Sequence, residues 1–420
     1  MTKKTYAEAV NFFGNRNPEE LIRKYGSPLY VYNEKILRER CREIQAISDY
    51  PHFQANYSVK ANGNLTLLKI IREEGFCADA MSIGEMYVEE MAGFESNQIL
   101  FISNNASAEE MQYAIDRDIM VSVDSLSQLD LYGRLNPGGK VCIRFNPMVG
   151  AGHSDKVVTG GKNTKFGVDP DAISEVKNIL KKHQLQLAGI NQHIGSLFME
   201  PDAYILGMES ALAVARQFDD LEFIDFGGGF GIPYHKQDGE GRLDIADLGK
   251  KIHNVFESFA KEYGKNLTFK IEPGRYLVAE CGILLGTVHS LKSNFGKNYL
   301  GTDLGFNVLQ RPILYDSHHD MEIYRVKSQS YADKNNCLEL TTYQVVGNIC
   351  ESGDILAHDR PLPKAEEGDI LVVLDSGAYG YCMASSYNNR LRPAEVLITE
   401  TGEDVLIRKR ESLKDLVKLF

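Results

Sequence analysis

Between residues 53 and 275, short apolar runs rich in β-branched and aromatic residues alternate with longer stretches whose apolar positions recur at helical spacing. The short runs predict buried strands and the longer stretches amphipathic helices, which is the pattern of βα units around a parallel sheet. The strands are expected at 53–59, 76–80, 99–102, 119–123, 140–145, 186–193, 221–226 and 267–272. Eight of them point to a closed β/α barrel rather than an open doubly wound sheet. One connection breaks the rhythm. Residues 147–167 are polar and glycine-rich, and loops of that length inside compact domains usually carry function, so this is a candidate active-site loop.

After Arg275 the pattern changes to strand-like runs separated by turns, at 299–302, 338–346, 370–374 and 396–399, which predicts an antiparallel β domain. An earlier run at 29–32, just after Gly26-Ser27-Pro28, can join that domain, and residues 411–419 predict a short closing helix. The expected organisation is an N-terminal segment (1–35) packed with the β domain, a (β/α)8 barrel of the TIM type (36–280), and a C-terminal β domain (281–420). The 420 residues suit a barrel of about 250 residues plus one smaller domain.

Composition narrows the function classes. With 43% hydrophobic and 25% charged residues the chain can bury a large core, and its net charge of -12 argues against nucleic acid or an anionic membrane as partner. Seven cysteines (Cys41, Cys77, Cys142, Cys281, Cys337, Cys350 and Cys382) are scattered and form no Cys-x-x-Cys pair. They read as reduced thiols of a cytoplasmic protein, neither a disulfide framework nor a metal site. The first residues lack the apolar core of a signal peptide, and no run reaches the roughly 18 apolar residues of a membrane span.

Chemistry-bearing residues fall where the predicted strands end. Lys60 follows the first, Asp79 ends the second, His193 the sixth, Gly227-Gly228-Gly229 follow the seventh, and Glu272-Pro273-Gly274-Arg275 the eighth. Barrels of this type build their active sites at that end. A lone lysine after a strand is ordinarily a solvated cation; its company makes Lys60 a candidate nucleophile. The glycine run suits a phosphate, and a tight turn is the alternative. A dinucleotide site fits less well, because Pro233 follows at once and no helix opens on the glycines.

Pyridoxal phosphate needs a lysine for its covalent link, a phosphate cradle, a carboxylate on the ring nitrogen and a group against the ring face. Lys60, the glycines with Ser196 and Arg275, Glu272 and His193 are candidates for these four parts. An ion pair between Glu272 and Arg275, and a merely hydrogen-bonded His193, are the alternatives.

Six motifs then make the residues recognisable. Tyr57-Ser-Val-Lys60-Ala-Asn62, His193-Ile-Gly-Ser196, Gly227-Gly-Gly229, Glu272-Pro-Gly-Arg275, Cys350-Glu-Ser-Gly-Asp354 and Gly377-Ala-Tyr379-Gly380 resemble, in order, those of the alanine-racemase-fold, pyridoxal-phosphate-dependent (group IV) decarboxylases. The resemblance runs from about Pro28 to Glu395, and Thr159-Gly-Gly-Lys-Asn-Thr-Lys-Phe-Gly167 matches that family's glycine-rich segment. It implies a homodimer with shared active sites and a small amino-acid substrate. By the same resemblance Lys60 and Cys350 are catalytic, Cys350 as a proton donor supplied by the other subunit. Lys60, Asp79, His193, Ser196, Gly228, Gly229, Glu272, Gly274, Arg275 and Tyr379 are implied cofactor contacts, and Arg275, Arg311, Tyr315, Glu351 and Tyr379 substrate contacts.

The implied reaction is loss of carbon dioxide from meso-2,6-diaminopimelate. Alternatives are a decarboxylase for another basic amino acid or carboxynorspermidine, a racemase, for which Cys350-Glu351 has no use, and a silent regulatory homologue, against which Lys60, Arg275 and Cys350 together argue. Val308, Asn348 and the stretch around Arg392 depart from the family pattern, near the expected substrate or subunit contacts.

Overall fold

The eight strands close on themselves. In the computed structural model, which describes residues 5–150, 159–161, 164–326 and 340–420, the barrel strands are Phe53–Ser58, Cys77–Ala80, Ile99–Ile102, Met120–Val123, Lys140–Arg144, Gln186–Asn191, Phe223–Asp225 and Thr268–Ile271. Each pairs in parallel with the next, and the last returns to the first with Phe53 opposite Phe269. Leu100, Ile102, Cys142, Ala188 and Phe223 cluster although several of their strands are not neighbours, so the contact runs through a filled interior. The expected barrel is therefore present, with Val59 in a 3-10 turn (Val59–Ala61) instead of the strand.

Local chemistry sets the helix ends. Ile83–Ala92 starts on Ser82, whose hydroxyl accepts from the Glu85 N–H, and stops at left-handed Gly93. Ile245–Tyr263 starts on Asp244 and stops at Gly264, and between them Leu248, Ile252, Phe256 and Phe259 form one buried stripe. Phe256 stacks on Phe269 of the last barrel strand with centroids 4.5 Å apart. That contact couples helix to sheet.

The chain divides into two compact units, Arg38–Ile232 with Arg242–Tyr276, and Met1–Leu37 with Pro233–Gly241 and Leu277–Phe420. Pro233–Gly241 lies inside the expected barrel span yet belongs to the β unit, where Lys236 pairs with Glu280 and Asp375. In that unit Leu29–Asn33 is a central strand, antiparallel to Gly282–Asn294 and parallel to Ala394–Ile398. Leu29 and Val31 join the core with Leu285, Val372 and Val396, while Tyr30 and Tyr32 are buried on the opposite face.

Two expectations are corrected here. The β sheet is mixed, not antiparallel, because Lys297–Thr302 also runs parallel to Leu340–Val346. Apolar patterning marks a strand but not its direction. The closing helix is absent: residues 411–419 contain only the 3-10 turn Asp415–Val417, and Leu413, Val417 and Leu419 are exposed. With no apolar face to bury, so short a helix has nothing to stabilise it. Residues 338 and 339 of an expected strand lie outside the described residues. Among those described, no helix is long and apolar enough to cross a membrane.

Candidate active site at the barrel mouth

Lys60 sits in the turn that ends the first strand, and its Nζ lies 3.3 Å from Asp79 Oδ2. Asp79 is buried and its Oδ1 has no partner. Burial pushes the Asp79 carboxyl up, and the Lys60 ammonium pulls against that rise. The first strand is tied to the eighth, because Ser58 Oγ donates to the Glu272 carbonyl at 3.1 Å. Gly274 packs there too, since a Cβ on it would lie 3.0 Å from the Ser58 Cβ.

Glu272 accepts from Asn191 Nδ2 at 3.3 Å and lies against Asp225, whose carboxylate takes the Gly227 N–H at 2.9 Å. Burial, then the Asp225 charge, push Glu272 well above the carboxyl range, and burial raises Asp225 to about 6. The two adjacent buried acids oppose each other's ionisation, and the charges of Lys60 on Glu272 and Lys270 on Asp225 do not cancel the rise that burial causes. The arrangement suits a protonated ring nitrogen against Glu272.

His193 holds the opposite role. Burial, then the charges of Arg144 and Lys60, push its imidazole well below the usual range, so it is neutral. Its Nδ1 accepts from the Gly228 N–H at 3.1 Å, which leaves the proton on Nε2. The glycines cannot be replaced: a Cβ on Gly228 would sit 1.9 Å from the Glu272 oxygen, and Gly229 has φ +104° and would meet the Gly195 oxygen at 2.4 Å. Arg275 Nη2 donates to Ser196 Oγ at 2.8 Å beside them. Bare backbone, a hydroxyl and a guanidinium make a cradle for a dianion.

The mouth thus gathers Lys60, Asp79, His193, Ser196, Gly228, Gly229, Glu272, Gly274 and Arg275 at strand ends of one barrel. It adds a residue that the sequence reading passed over. Arg144 ends the fifth strand, is buried, and lies 4.7 Å over the Phe166 ring with Nη2 unpartnered. The strand-end rule that selected Lys60 selects Arg144 too. Of the glycine-rich connection, 151–158 and 162–163 lie outside the described residues, while Thr159 donates to the His193 carbonyl at 3.1 Å.

The remaining candidates belong to the β unit. Cys350 is exposed and its N–H donates to Asn388 Oδ1 at 2.8 Å; exposed Glu351 accepts from the Tyr387 hydroxyl. Arg311 is buried, 2.7 Å from His319 Nε2 and 4.4 Å over the Tyr234 ring, at the start of a helix that ends with half-buried Tyr315. Tyr379 has φ +54°, a strained value for a non-glycine residue. Among the departures, Val308 is buried with its carbonyl on the Tyr30 hydroxyl, Arg392 donates to Glu411 at 2.7 Å, and Asn348 Oδ1 is unpartnered.

Comparison with known proteins agrees with this chemistry. The pyridoxal-binding domain of the pyridoxal-dependent decarboxylases matches residues 35–279, and the chain belongs to that family. The particular relatives are diaminopimelate decarboxylases. That of Methanothermobacter thermautotrophicus is 40% identical over 96% of this chain and 94% of its own length, and that of Escherichia coli K12 is 33% identical over 96% of each. A crystal structure of the diaminopimelate decarboxylase from Helicobacter pylori complexed with L-lysine superposes with a TM-score of 0.86 at 31% identity, covering 96% of this chain and 99% of that one.

Proposed function

We propose that this chain is a diaminopimelate decarboxylase, converting meso-2,6-diaminopimelate to L-lysine and carbon dioxide with pyridoxal phosphate. The observation that carries the reading is the barrel mouth, with its lysine beside a buried acid, its buried acid pair Glu272 and Asp225, and its neutral imidazole over bare glycine backbone. Near-full-length likeness to diaminopimelate decarboxylases supports the substrate. When bound, the cofactor supplies an electron sink for the pair left behind by carbon dioxide.

The chain's own residues do the rest. Lys60 holds the cofactor covalently with Asp79 beside its amine. Ser196, Gly228, Gly229, Gly274 and Arg275, with Tyr379, hold the phosphate, Glu272 keeps the ring nitrogen protonated, and His193 lies against the ring. Arg275 and Tyr379 also touch the substrate. Arg311 and Tyr315 take its distal carboxylate and Glu351 its distal ammonium, by charge-assisted bonds. The Cys350 thiol delivers to the substrate carbon the proton that takes the place of the lost carbon dioxide and completes lysine. Water then reprotonates the thiol.

The enzyme works as a homodimer in which Cys350 and Glu351 complete the neighbouring subunit's barrel mouth. Their exposure in this chain and the motif resemblance support that reading. The cytoplasm is its place, supported by free thiols at all six described cysteines. Carbon dioxide release over meso-diaminopimelate, D- and L-lysine, ornithine and arginine tests the function. Meso-diaminopimelate is expected to be the preferred substrate, and a preference for ornithine or arginine overturns the reading.

A further inference from the structure

A guanidinium binds a carboxylate well only when its planar donors face it, so whatever orients Arg311 bears on specificity. Arg311 Nη1 lies 2.7 Å from His319 Nε2, and His319 Nδ1 lies 2.7 Å from the Leu374 carbonyl oxygen. A carbonyl only accepts, so Nδ1 carries a proton; a guanidinium only donates, so Nε2 offers its lone pair. The two contacts together demand the neutral Nδ1–H tautomer. The imidazole is buried and packs edge-on against Tyr234 at 5.3 Å, the same ring that lies 4.4 Å under the Arg311 guanidinium. Arginine, histidine and tyrosine form one clamp. Leu374 closes the strand Ile370–Val373, and the chain runs on through Asp375 and Ser376 to Gly377-Ala378-Tyr379. The imidazole therefore also ties the Arg311 helix to the strand leading to Tyr379.

We propose that His319 is a positioning residue that aims Arg311 at the distal carboxylate, and so sets the preference for a diamino dicarboxylic acid over an amino acid that lacks that group. This rests on the reading of Arg311 given under Proposed function. Two substitutions separate the contacts. His319→Asn places an amide near the former Nδ1, keeping a donor for Leu374 and withdrawing the acceptor from Arg311. His319→Gln reaches the former Nε2, keeping the acceptor and losing the donor.

The expected result is a KM for meso-diaminopimelate raised about tenfold in His319→Asn but no more than about threefold in His319→Gln, with kcat altered less than KM in both. In an Arg311→Ala background His319→Asn should add little, since the arginine it positions is gone. Equal KM rises in the two single variants, or full additivity with Arg311→Ala, overturn the proposal. Nitrogen NMR of histidine-labelled protein supplies a readout independent of turnover. It should show the Nδ1–H tautomer at His319, with an Nε2 signal that moves in Arg311→Ala, and an Nε2–H or doubly protonated ring overturns the proposal. A wild-type enzyme inactive on meso-diaminopimelate overturns the substrate reading and the preference with it, while the NMR signal still reports whether His319 holds Arg311.

Discussion

At the scale of single residues, the barrel mouth is an exercise in which groups keep their protons. Lys60 is the only lysine assigned to the cofactor, so borohydride reduction of the yellow holoenzyme should fix the label there. A peptide map that places it on another lysine contradicts the assignment. The Glu272–Asp225 pair makes a second prediction, for the apoprotein. Both carboxyls bind their protons more tightly in the folded state than when unfolded, so the folded state loses stability as pH rises from the ordinary carboxylate range through about 6 and beyond. Thermal unfolding of the apoprotein should show that decline as pH rises through about 6, where Asp225 gives up its proton, and Glu272→Gln should flatten it. An unchanged slope in Glu272→Gln would refute the raised proton affinity of the pair. The candidates were legible in sequence because a barrel sends every strand end to one mouth. Their protonation was not, because it depends on burial and on neighbours as distant as Asn191 and Glu272.

Elements carry the next level. The barrel strands were readable from apolar runs because a parallel strand is covered on both faces, and the helix Ile245–Tyr263 from its apolar stripe. Phe256, fully buried and stacked on Phe269, should therefore be costly to truncate. Phe256→Ala is expected to lower unfolding stability by about 3–5 kcal/mol in denaturant titration, and a loss below about 1 kcal/mol would mean that the site collapses around the gap. The C-terminal stretch shows the limit of the same reasoning. Residues 411–419 read as a short closing helix, yet Leu413, Val417 and Leu419 are exposed and only the 3-10 turn Asp415–Val417 forms.

For the whole molecule, the prediction concerns subunits. A Lys60→Ala chain and a Cys350→Ala chain are each expected to be inactive alone, because one lacks the proposed cofactor lysine and the other the proposed proton donor. If the two groups come from different subunits, mixed dimers contain one intact mouth. Activity should then return in part on mixing, in proportion to the mixed dimer formed. No recovery despite demonstrated subunit exchange would place both groups in one chain's own site.

The sequence alone determined the eight-strand barrel, most of the residues at its mouth and the chemistry expected there, since periodicity and strand-end position are local properties. Tertiary structure decided the rest. It set Leu29–Asn33 between Gly282–Asn294 and Ala394–Ile398, antiparallel to one and parallel to the other, and moved Pro233–Gly241 into the β unit. It put Arg144 beside the acids, and it fixed the tautomers of His193 and His319 through Gly228 and Leu374. Strand direction and proton position depend on partners far away in the chain, and no local pattern encodes which carbonyl or N–H a side chain will meet.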